Sequence, residues 1–370
     1  MQSLLVLIDG LGDEPVAMLD GKTPFDYARH PYMDKLSLNA ASICENDIVP
    51  ESCSCILRLL GVNREQMPQN RSYLELLAHG RDISEYEMVL RCNLVAIDGE
   101  GHLVSFNGGN LSSNAMASVA EICNGILKDV EFIHLSEYRN LLILNKEKKI
   151  LECRIAPSQE SLGENIDELL AEITKESLSL KYFLKEIEQR LKSFGRDGMR
   201  YRLYPWGPAG RETLPGFYTL HNLTGGVVGK AEIMRGIAKG MGMKLIVPEH
   251  ATGDINTNVL EKAVATADLL ERNDFVITHF NGADEAAHRY DAVGKAAFIQ
   301  KIDTDFLCHI SEKVRKPLKI VVCGDHITSS ASGKHCRGKG PVAAGYLNGN
   351  KKVNISNYQD ILTFLMGKSD

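Results

Sequence analysis

The sequence predicts an α/β fold in which a mostly parallel sheet lies between helices, with a smaller α+β cap domain inserted into it. Strand-like and helix-like segments alternate near both ends of the chain, which is typical of a parallel sheet covered by helices. From about residue 110 to residue 215, charged amphipathic segments replace this alternation. We therefore predict a core formed by residues 1–108 and 216–370, with residues 109–215 inserted as the cap.

The N-terminal part of the predicted core opens with an apolar run at residues 4–8, which predicts a buried strand, and a glycine-rich turn follows at 9–12. A short helix is predicted at 25–29. A further strand at 91–97 ends in the turn at 98–101. These segments supply the first strands and helices of the alternating pattern.

The predicted insert begins with a helix at 112–127, followed by a short strand at 140–144 and one or two charged amphipathic helices at 166–191. Residues 204–211 read Tyr-Pro-Trp-Gly-Pro-Ala-Gly-Arg, which is rich in turn formers and predicts a connection. The alternation then resumes, with strands predicted at 224–228, 243–247, 274–278 and 318–322 and helices at 231–241, 258–271 and 294–315.

The composition is that of an ordinary globular protein. The chain has 370 residues, enough for about two domains, and 44% of them are hydrophobic. The net charge of −6 gives no support for a nucleic acid or an anionic membrane as partner. No apolar run reaches the roughly 18 residues that a membrane helix needs. The nine cysteines are scattered and odd in number, so we expect reduced thiols and a cytoplasmic location.

Acidic and imidazole side chains follow several of the predicted strands. Asp9 comes directly after residues 4–8, residues 284–288 read Asp-Glu-Ala-Ala-His, and residues 324–326 read Gly-Asp-His. Carboxylates and imidazoles at the ends of several strands are what a two-metal site needs, and such oxygen and nitrogen ligands suit Mn²⁺, Zn²⁺ or Mg²⁺. The candidate ligands are Asp9, Asp284, His288, Asp325, His326 and His335.

The spacing of these residues supports the metal site without proving it for any single one. Asp284 and His288, four residues apart, lie about 5–6 Å apart on one face of a helix, although the same pattern also occurs in solvated turns. Asp325 and His326 leave a strand on opposite sides, but could also be a helix cap and a packed histidine. His335 alone could be a surface residue. It is their combination at one sheet edge that indicates a two-metal site.

Ser52 is the candidate nucleophile. It precedes a predicted helix that ends at Gly61, so its hydroxyl would lie at a helix N-terminus, where the helix dipole and free N–H groups favour an anion. The alternative is that Ser52 is only an N-cap residue.

In these features the chain resembles the archaeal-type, cofactor-independent (2,3-bisphosphoglycerate-independent) phosphoglycerate mutases of the alkaline phosphatase superfamily. The matching segments run in order over nearly the whole chain, at residues 7–13, 21–24, 31–36, 91–93, 138–139, 206–210, 251–257, 284–288 and 324–326. The resemblance implies an alkaline-phosphatase-like core. It also implies a glycolytic isomerase that interconverts 2- and 3-phosphoglycerate, which are small anionic phosphorylated metabolites.

The resemblance also implies a role for individual residues. Two divalent ions would be bound, with Mn²⁺ preferred and Zn²⁺ or Mg²⁺ as alternatives. Asp284, His288 and His335 would hold one ion. Ser52 would be a ligand of the other ion as well as the nucleophile, together with Asp9, Asp325 and His326. The matching positions that could bind the anionic substrate are Arg71, Arg91, Arg139 and Arg211.

The chain departs from the family pattern around the nucleophile. The family has Pro-Gly-Ser-Asp-Thr-Ala, whereas residues 50–55 read Pro-Glu-Ser-Cys-Ser-Cys. Glu51 replaces a glycine, a residue that permits positive φ or close backbone approach, and Cys53 replaces an aspartate. These changes leave two alternatives open. One is a related phosphatase or homoserine-kinase-like phosphotransferase acting on another small phosphorylated metabolite, and the other is a catalytically silent metal-binding homologue.

Overall fold

The computed structural model describes residues 1–42, 50–195, 198–351 and 353–367. The chain divides into two compact units, one formed by Met1–Met67 and Leu214–Asp370 and the other by Pro68–Thr213. The second unit is thus inserted into the first, and it begins well before residue 109, where the sequence analysis placed the boundary. The reason is the strand at Glu87–Ile97, which pairs with strands of the inserted unit rather than with those of the core.

The strands, in chain order, are β1 (Ser3–Ile8), β2 (Ser37–Ser42), β3 (Glu87–Ile97), β4 (Leu103–Ser105), β5 (Val130–Ser136), β6 (Arg139–Asn145), β7 (Arg200–Ala209), β8 (Gly225–Val228), β9 (Lys244–Ile246), β10 (Phe275–Phe280), β11 (Leu318–Cys323), β12 (Ile327–Thr328), β13 (His335–Cys336) and β14 (Lys339–Leu347). The α-helices are α1 (Pro24–Tyr27), α2 (Ser52–Leu59), α3 (Ser72–Ala78), α4 (Ser113–Cys123), α5 (Lys148–Glu152), α6 (Ile166–Leu169), α7 (Ala171–Glu176), α8 (Leu178–Arg190), α9 (Phe217–His221), α10 (Glu232–Gly240), α11 (Val259–Leu270), α12 (Gly282–His288), α13 (Ala292–Lys301), α14 (Cys308–Lys313) and α15 (Tyr358–Met366). Short 3₁₀ turns lie at Ala17–Leu19, Met33–Lys35, Arg64–Gln66, Gly108–Asn110, Ser158–Glu160 and Leu191–Phe194, and a π-helical turn at Ile302–Leu307 joins α13 to α14.

The first unit contains a seven-stranded sheet in the order β2-β14-β11-β1-β10-β8-β9. Strands β11, β1, β10, β8 and β9 run parallel. On the other side of β11, β14 pairs antiparallel with β11, and β2 pairs antiparallel with β14. Every residue of β1, β10 and β11 is buried, as expected for parallel strands covered on both faces. The mostly parallel sheet predicted from the sequence is therefore confirmed.

The register of the sheet brings the ends of its central strands together. Ile8 at the end of β1 pairs with Phe280 at the end of β10, and Leu7 pairs with Cys323 at the end of β11. The residues that follow these three strands therefore emerge at one sheet edge. Beneath them, aromatic rings fill the core, and the rings of Phe280 and Phe306 meet edge to face at a centroid distance of 5.2 Å.

The second unit contains a five-stranded antiparallel sheet with β3 at its centre. Strand β7 pairs with β3, so the prediction of a connection at residues 204–211 was wrong for most of that segment. Its Pro205 and Pro208 are compatible with a strand here because β7 has a single neighbour among the described strands, and an edge strand tolerates residues that lack an N–H donor.

Candidate metal centre

Two clusters of carboxylate and imidazole groups lie at the carboxyl ends of the parallel strands in the first unit. We call Asp284, His288 and His335 the first cluster, and Asp9, Asp325 and His326 the second cluster. Within each cluster, one ligand atom from each residue lies within 4.8 Å of the others. The structure thus brings all six predicted ligand residues into two groups of three. A ligand set of this kind, made of oxygen and nitrogen atoms, suits a divalent ion.

The first cluster is built on helix α12 and strand β13. Asp284 and His288 lie one turn apart on α12, with His288 Nε2 3.2 Å from Asp284 Oδ2. Residue His335 approaches from β13 and places its Nε2 3.4 Å from the other carboxylate oxygen, Oδ1. The carboxylate therefore faces both imidazoles, one through each oxygen.

Both imidazoles of the first cluster present Nε2 to the same point. His288 Nδ1 lies 2.8 Å from the Gly333 carbonyl oxygen, and His335 Nδ1 lies 2.9 Å from the Pro50 carbonyl oxygen. A carbonyl only accepts hydrogen bonds, so each Nδ1 carries a proton. The two Nε2 atoms lie 3.1 Å apart, which brings two lone pairs together unless a cation or a proton lies between them. The donor set therefore fits a metal ion, whose histidine ligands commonly donate Nδ1–H to a carbonyl in this way.

The second cluster follows strands β1 and β11. His326 Nε2 lies 3.3 Å from Asp9 Oδ1 and 3.5 Å from Asp325 Oδ2. Both of these carboxylate oxygens are buried and accept no hydrogen bond from any residue that the structure describes. The other oxygen of Asp325 is held by the backbone N–H groups of Gly10 and His326, at 3.2 and 3.0 Å. Two oriented but unpaired buried oxygens fit the role of ligands to a cation.

The electrostatics of the two clusters also favour a cation. Burial, together with the nearby carboxylates of Asp325 and Asp284, raises the pKa of Asp9 well above its ordinary value, because acidic groups close together in a desolvated site resist ionisation. Burial has the same tendency at Asp284, but hydrogen bonds from His288 and His335 outweigh it and hold the pKa of Asp284 far below its ordinary value. The hydrogen bond to Asp284 in turn raises the pKa of His288 to about 9.

Ser52 lies beside the second cluster. Its Oγ is 3.3 Å from Asp9 Oδ2, to which it donates, and 3.4 Å from His326 Nε2. Ser52 is the first residue of α2, and the N-cap position belongs to Glu51, so the serine is not the N-cap residue. Glu51 has extended backbone angles, φ −136° and ψ 149°, and its carboxylate accepts a hydrogen bond from the Ser54 hydroxyl at 3.0 Å. The glycine of the family pattern is therefore not needed here for a positive φ.

Comparison with known proteins agrees with this geometry. The family model of the metalloenzyme superfamily matches residues 1–360. The chain belongs to the metalloenzyme superfamily. A similar protein is the 2,3-bisphosphoglycerate-independent phosphoglycerate mutase of Thermococcus gammatolerans, which is 27% identical over 346 residues, or 88% of this chain and 84% of the relative. The resemblance drawn from the sequence motifs is thus confirmed.

Two solved structures show the same fold as this metalloenzyme. The PH0037 protein from Pyrococcus horikoshii has a TM-score of 0.77 at 22% identity, with 100% of this chain and 98% of that chain covered. The cofactor-independent phosphoglycerate mutase from Thermoplasma acidophilum has a TM-score of 0.58 at 18% identity, with 98% and 95% covered. These likenesses confirm the predicted α/β fold class. Across the described parts of the chain, no helix combines the length and the apolar character needed to span a membrane.

Three buried side chains of the metalloenzyme contact the clusters or their loops and were missed in the sequence. Thr328 contacts Asp284 and His326. Lys295 Nζ donates to the backbone carbonyls of Gly12 and Thr328. The third is His279, whose Nε2 lies 3.5 Å from Asp9 Oδ2, and whose pKa is lowered by burial to about 4.

Little in the sequence could have revealed these three residues. His279 lies in the buried strand β10 and Lys295 in the first turn of α13, but neither position indicates what the side chain contacts. The contact between Thr328 and Asp284 joins residues 44 positions apart, and no local pattern encodes it.

The predicted substrate arginines lie in the second unit, and two of them share one carboxylate. The buried Glu75 is 2.6 Å from Arg71 Nε and 3.0 Å from Arg91 Nε. The guanidinium of Arg91 also lies 4.2 Å from the centroid of the Trp206 ring. Burial lowers the pKa of Arg91, and the positive charges of Arg71 and Arg139 lower it further against the opposing charge of Glu75. These three arginines therefore concentrate positive charge at one place.

Arg211 has a different environment. It forms an exposed ion pair with Asp82, with 2.8 Å between Nη2 and Oδ2. Asp82 also accepts a hydrogen bond from the Tyr73 hydroxyl at 2.8 Å. The Arg211 guanidinium is thus bound to Asp82 at the surface of the second unit.

Proposed function

We propose that this metalloenzyme is a phosphoglycerate mutase that interconverts 2-phosphoglycerate and 3-phosphoglycerate through a phosphoserine at Ser52. The observation that carries the proposal is the Ser52 hydroxyl 3.3 Å from Asp9 of the second cluster. The name of the Thermococcus relative supports the substrate. A glycolytic substrate would place the enzyme in the cytoplasm, in agreement with the free thiol state of every cysteine that the structure describes.

The proposal includes two divalent ions. The first cluster would hold one, and the second cluster together with the Ser52 oxygen would hold the other. Such ions lower the pKa of a coordinated hydroxyl and neutralise the oxygens of a transferring phosphoryl group. We propose Mn²⁺, with Zn²⁺ or Mg²⁺ as alternatives, because carboxylate and imidazole ligands accept all three.

The chain's own residues define the course of the transfer. Ser52 donates its hydroxyl proton to the Asp9 carboxylate, which directs a lone pair of Oγ towards an incoming phosphorus atom. The new Oγ–P bond forms as the bond between phosphorus and the first substrate hydroxyl oxygen breaks, and the proton that leaves Ser52 through Asp9 passes to that oxygen. The glycerate then reorients and its second hydroxyl oxygen attacks phosphorus as the Oγ–P bond breaks. The proton of that hydroxyl returns to Oγ, which regenerates Ser52.

The substrate also carries a carboxylate, and arginine recognises both carboxylate and phosphate in a bidentate manner. We propose Arg71, Arg91 and Arg139 as the anion-binding residues of the second unit. Glu75 fixes the first two guanidinium groups, so less conformational entropy is lost when an anion binds. Arg211 was also predicted from the sequence, but its ion pair with Asp82 makes it the weaker candidate.

The experiment that tests the proposal is an assay of the purified protein with Mn²⁺ and 3-phosphoglycerate, with and without bisphosphoglycerate. We expect 2-phosphoglycerate to form at the same rate in both cases and little free phosphate to appear. Formation of 2-phosphoglycerate only when bisphosphoglycerate is added would contradict the proposal.

A second candidate is a phosphatase of the same superfamily, which Glu51 favours. Its carboxylate, one residue before the nucleophile, adds negative charge where a glycerate would have to stay bound between the two transfers. Loss of that glycerate would let water cleave the phosphoserine. Release of phosphate from both 3-phosphoglycerate and p-nitrophenyl phosphate, with no 2-phosphoglycerate, would favour this candidate, and no turnover at all would favour a catalytically silent homologue.

A further inference from the structure

We infer that Thr328 is a positioning residue that fixes the tautomer of His326 and connects the two ligand clusters. Its side chain touches one residue of each cluster. The inference deepens the proposed function and rests on it, because it concerns how the same site is held ready for its ions. No step of the proposed transfer uses Thr328 directly.

The geometry places one hydroxyl between the two clusters. Thr328 is fully buried, and its Oγ1 lies 2.6 Å from Asp284 Oδ1 in the first cluster. The same oxygen lies 3.2 Å from His326 Nδ1 in the second cluster. The hydroxyl is thus within hydrogen-bond distance of a carboxylate on one side and an imidazole on the other.

The direction of both hydrogen bonds follows from the chemistry of a hydroxyl. Thr328 has a single hydroxyl proton, and it donates that proton to the Asp284 carboxylate. Towards His326 it can then only accept, so Nδ1 of His326 must carry a proton. The lone pair of the imidazole is consequently on Nε2, the nitrogen that faces Asp9 and Asp325. A hydrogen-bond chain therefore runs from His326 through Thr328 to Asp284.

This arrangement distinguishes His326 from the two histidines of the first cluster. His288 and His335 have their Nδ1 atoms held by backbone carbonyl oxygens, which no side-chain substitution removes. The Nδ1 atom of His326 instead depends on a side chain, and that side chain is oriented by a ligand of the other cluster. The tautomer of His326 in the second cluster therefore depends on the hydrogen bond that Thr328 makes with Asp284 in the first cluster.

The surroundings keep the Thr328 hydroxyl in place. The Thr328 backbone N–H donates to the Gly12 carbonyl at 3.1 Å, and the Lys295 ammonium group lies 2.8 Å from the Thr328 carbonyl oxygen. On the other side, a Cβ atom added to Gly10 would lie 2.7 Å from Thr328 Oγ1, and the φ of Gly10 is +64°. Glycine at position 10 thus leaves the space that the hydroxyl occupies.

Thr328→Val tests the inference, because valine keeps the shape of threonine and lacks the hydroxyl. We expect the variant to bind Mn²⁺ about 10- to 100-fold more weakly, as measured by isothermal titration, since this is the usual effect of removing a group that orients a metal ligand. Thr328→Ser should restore most of the affinity. The matched control is Thr266→Val, which removes another fully buried hydroxyl, bonded to Lys262 and Thr278 instead.

A spectroscopic measurement separates positioning from packing. In ¹⁵N-histidine NMR spectra of the metal-free protein, we expect His326 of the wild type and of Thr328→Ser to carry its proton on Nδ1. In Thr328→Val the proton should be distributed over both nitrogens. If Thr328 acted through packing alone, Thr328→Val would change neither the Mn²⁺ affinity nor the tautomer of His326. Finding both unchanged in Thr328→Val would overturn the inference.

The outcomes also separate this inference from the proposed function. Wild-type protein that makes no 2-phosphoglycerate, while Thr328→Val still loses Mn²⁺ affinity and the Nδ1 tautomer, would refute the proposed function and support the inference. If the wild type is active and Thr328→Val has the same activity and the same Mn²⁺ affinity, the proposed function is supported and the inference is refuted. Should the valine variant fail to fold, Thr328→Ala removes the hydroxyl without added bulk, and the same two measurements decide.

Discussion

The Ser52 hydroxyl donates a hydrogen bond to Oδ2 of Asp9 over 3.3 Å. This contact joins the start of α2 to the end of β1 and places the candidate nucleophile next to a candidate ligand. We therefore expect Ser52→Ala to lower kcat for 3-phosphoglycerate by at least about 10³-fold, in line with the loss of other enzymatic nucleophiles. Mass spectrometry of the wild type quenched during turnover should find a phosphate on Ser52.

The neighbouring Ser54 is the matched control for Ser52. It lies on the same helix, and its hydroxyl donates to Glu51 rather than to a cluster residue. We expect Ser54→Ala to keep kcat within about threefold of the wild type, because its hydroxyl bonds to Glu51 and not to a residue of either cluster. Full activity in Ser52→Ala would refute the proposed nucleophile.

Much of the first unit could be predicted from the sequence because its signals are local. Apolar runs such as residues 4–8 and 320–323 are short and uninterrupted, as buried parallel strands must be, and an aspartate follows each run within two residues, at the carboxyl end of the strand. The same logic predicted that these acidic and imidazole groups gather at the carboxyl ends of the strands. These runs do not encode which loops meet at the carboxyl ends of the strands. The contacts made by Thr328 and Lys295 could therefore not be predicted from the sequence.

The second unit was harder to predict because its sheet depends on pairing between distant segments. Strand β7 contains two prolines and a glycine near its end, so its local composition indicates a connection. Its pairing with β3, about 110 residues earlier in the chain, outweighs that local preference. The same long-range pairing draws β3 into the inserted unit and moves the boundary from residue 109 to Pro68.

Arg91 should be important for substrate binding, whereas Arg211 should not. We expect Arg91→Gln to raise KM for 3-phosphoglycerate and to lower kcat/KM by about 10²-fold, since a charged hydrogen bond contributes about 1.5–3 kcal/mol. Arg211→Gln should remove only the surface ion pair with Asp82 and change kcat/KM less than about threefold. Steady-state kinetics of both variants checks the prediction, and equal losses would contradict it.

Metal binding to the first cluster should strengthen as pH rises. The hydrogen bond to Asp284 raises the pKa of His288 to about 9 in the metal-free protein, so below that pH a proton occupies the nitrogen that an ion needs. Binding must release this proton, and apparent affinity should rise by up to about tenfold per pH unit between about pH 6 and pH 8. Competition with a chelator of known affinity measures it, and a flat profile would contradict the prediction.

Lys295 and Asp13 form a buried ion pair in which Nζ and Oδ2 are 2.8 Å apart and both side chains are fully buried. Lys295→Met or Asp13→Asn alone leaves an uncompensated buried charge or polar group, which costs about 3–5 kcal/mol of unfolding free energy. The double variant removes both charges and should recover part of this loss. Urea unfolding of the metal-free proteins checks the prediction. If the double variant loses as much unfolding free energy as the two single variants together, the two side chains are not coupled and the prediction is contradicted.

Lys262 should lower the unfolding free energy of the protein by an amount that depends on pH, and a single substitution should remove this effect. Its ammonium group is buried, donates to the His279 carbonyl at 2.8 Å and lies 4.7 Å from the centroid of the Phe280 ring. Burial lowers the pKa of Lys262 from 10.5 to about 7. The unfolded chain therefore binds a proton that the folded chain does not between these two values, so this residue makes stability rise with pH there by up to about 1.4 kcal/mol per unit.

We accordingly expect the gain in unfolding free energy of Lys262→Met over the wild type to be largest at or below pH 7. This gain should shrink as the pH approaches 10.5. The difference in unfolding free energy between the two proteins, measured in urea at several pH values, isolates this residue from every other titrating group. Lys239→Met, which replaces an exposed lysine of α10, is the control. A constant difference for Lys262→Met would mean that this lysine stays charged in the folded protein.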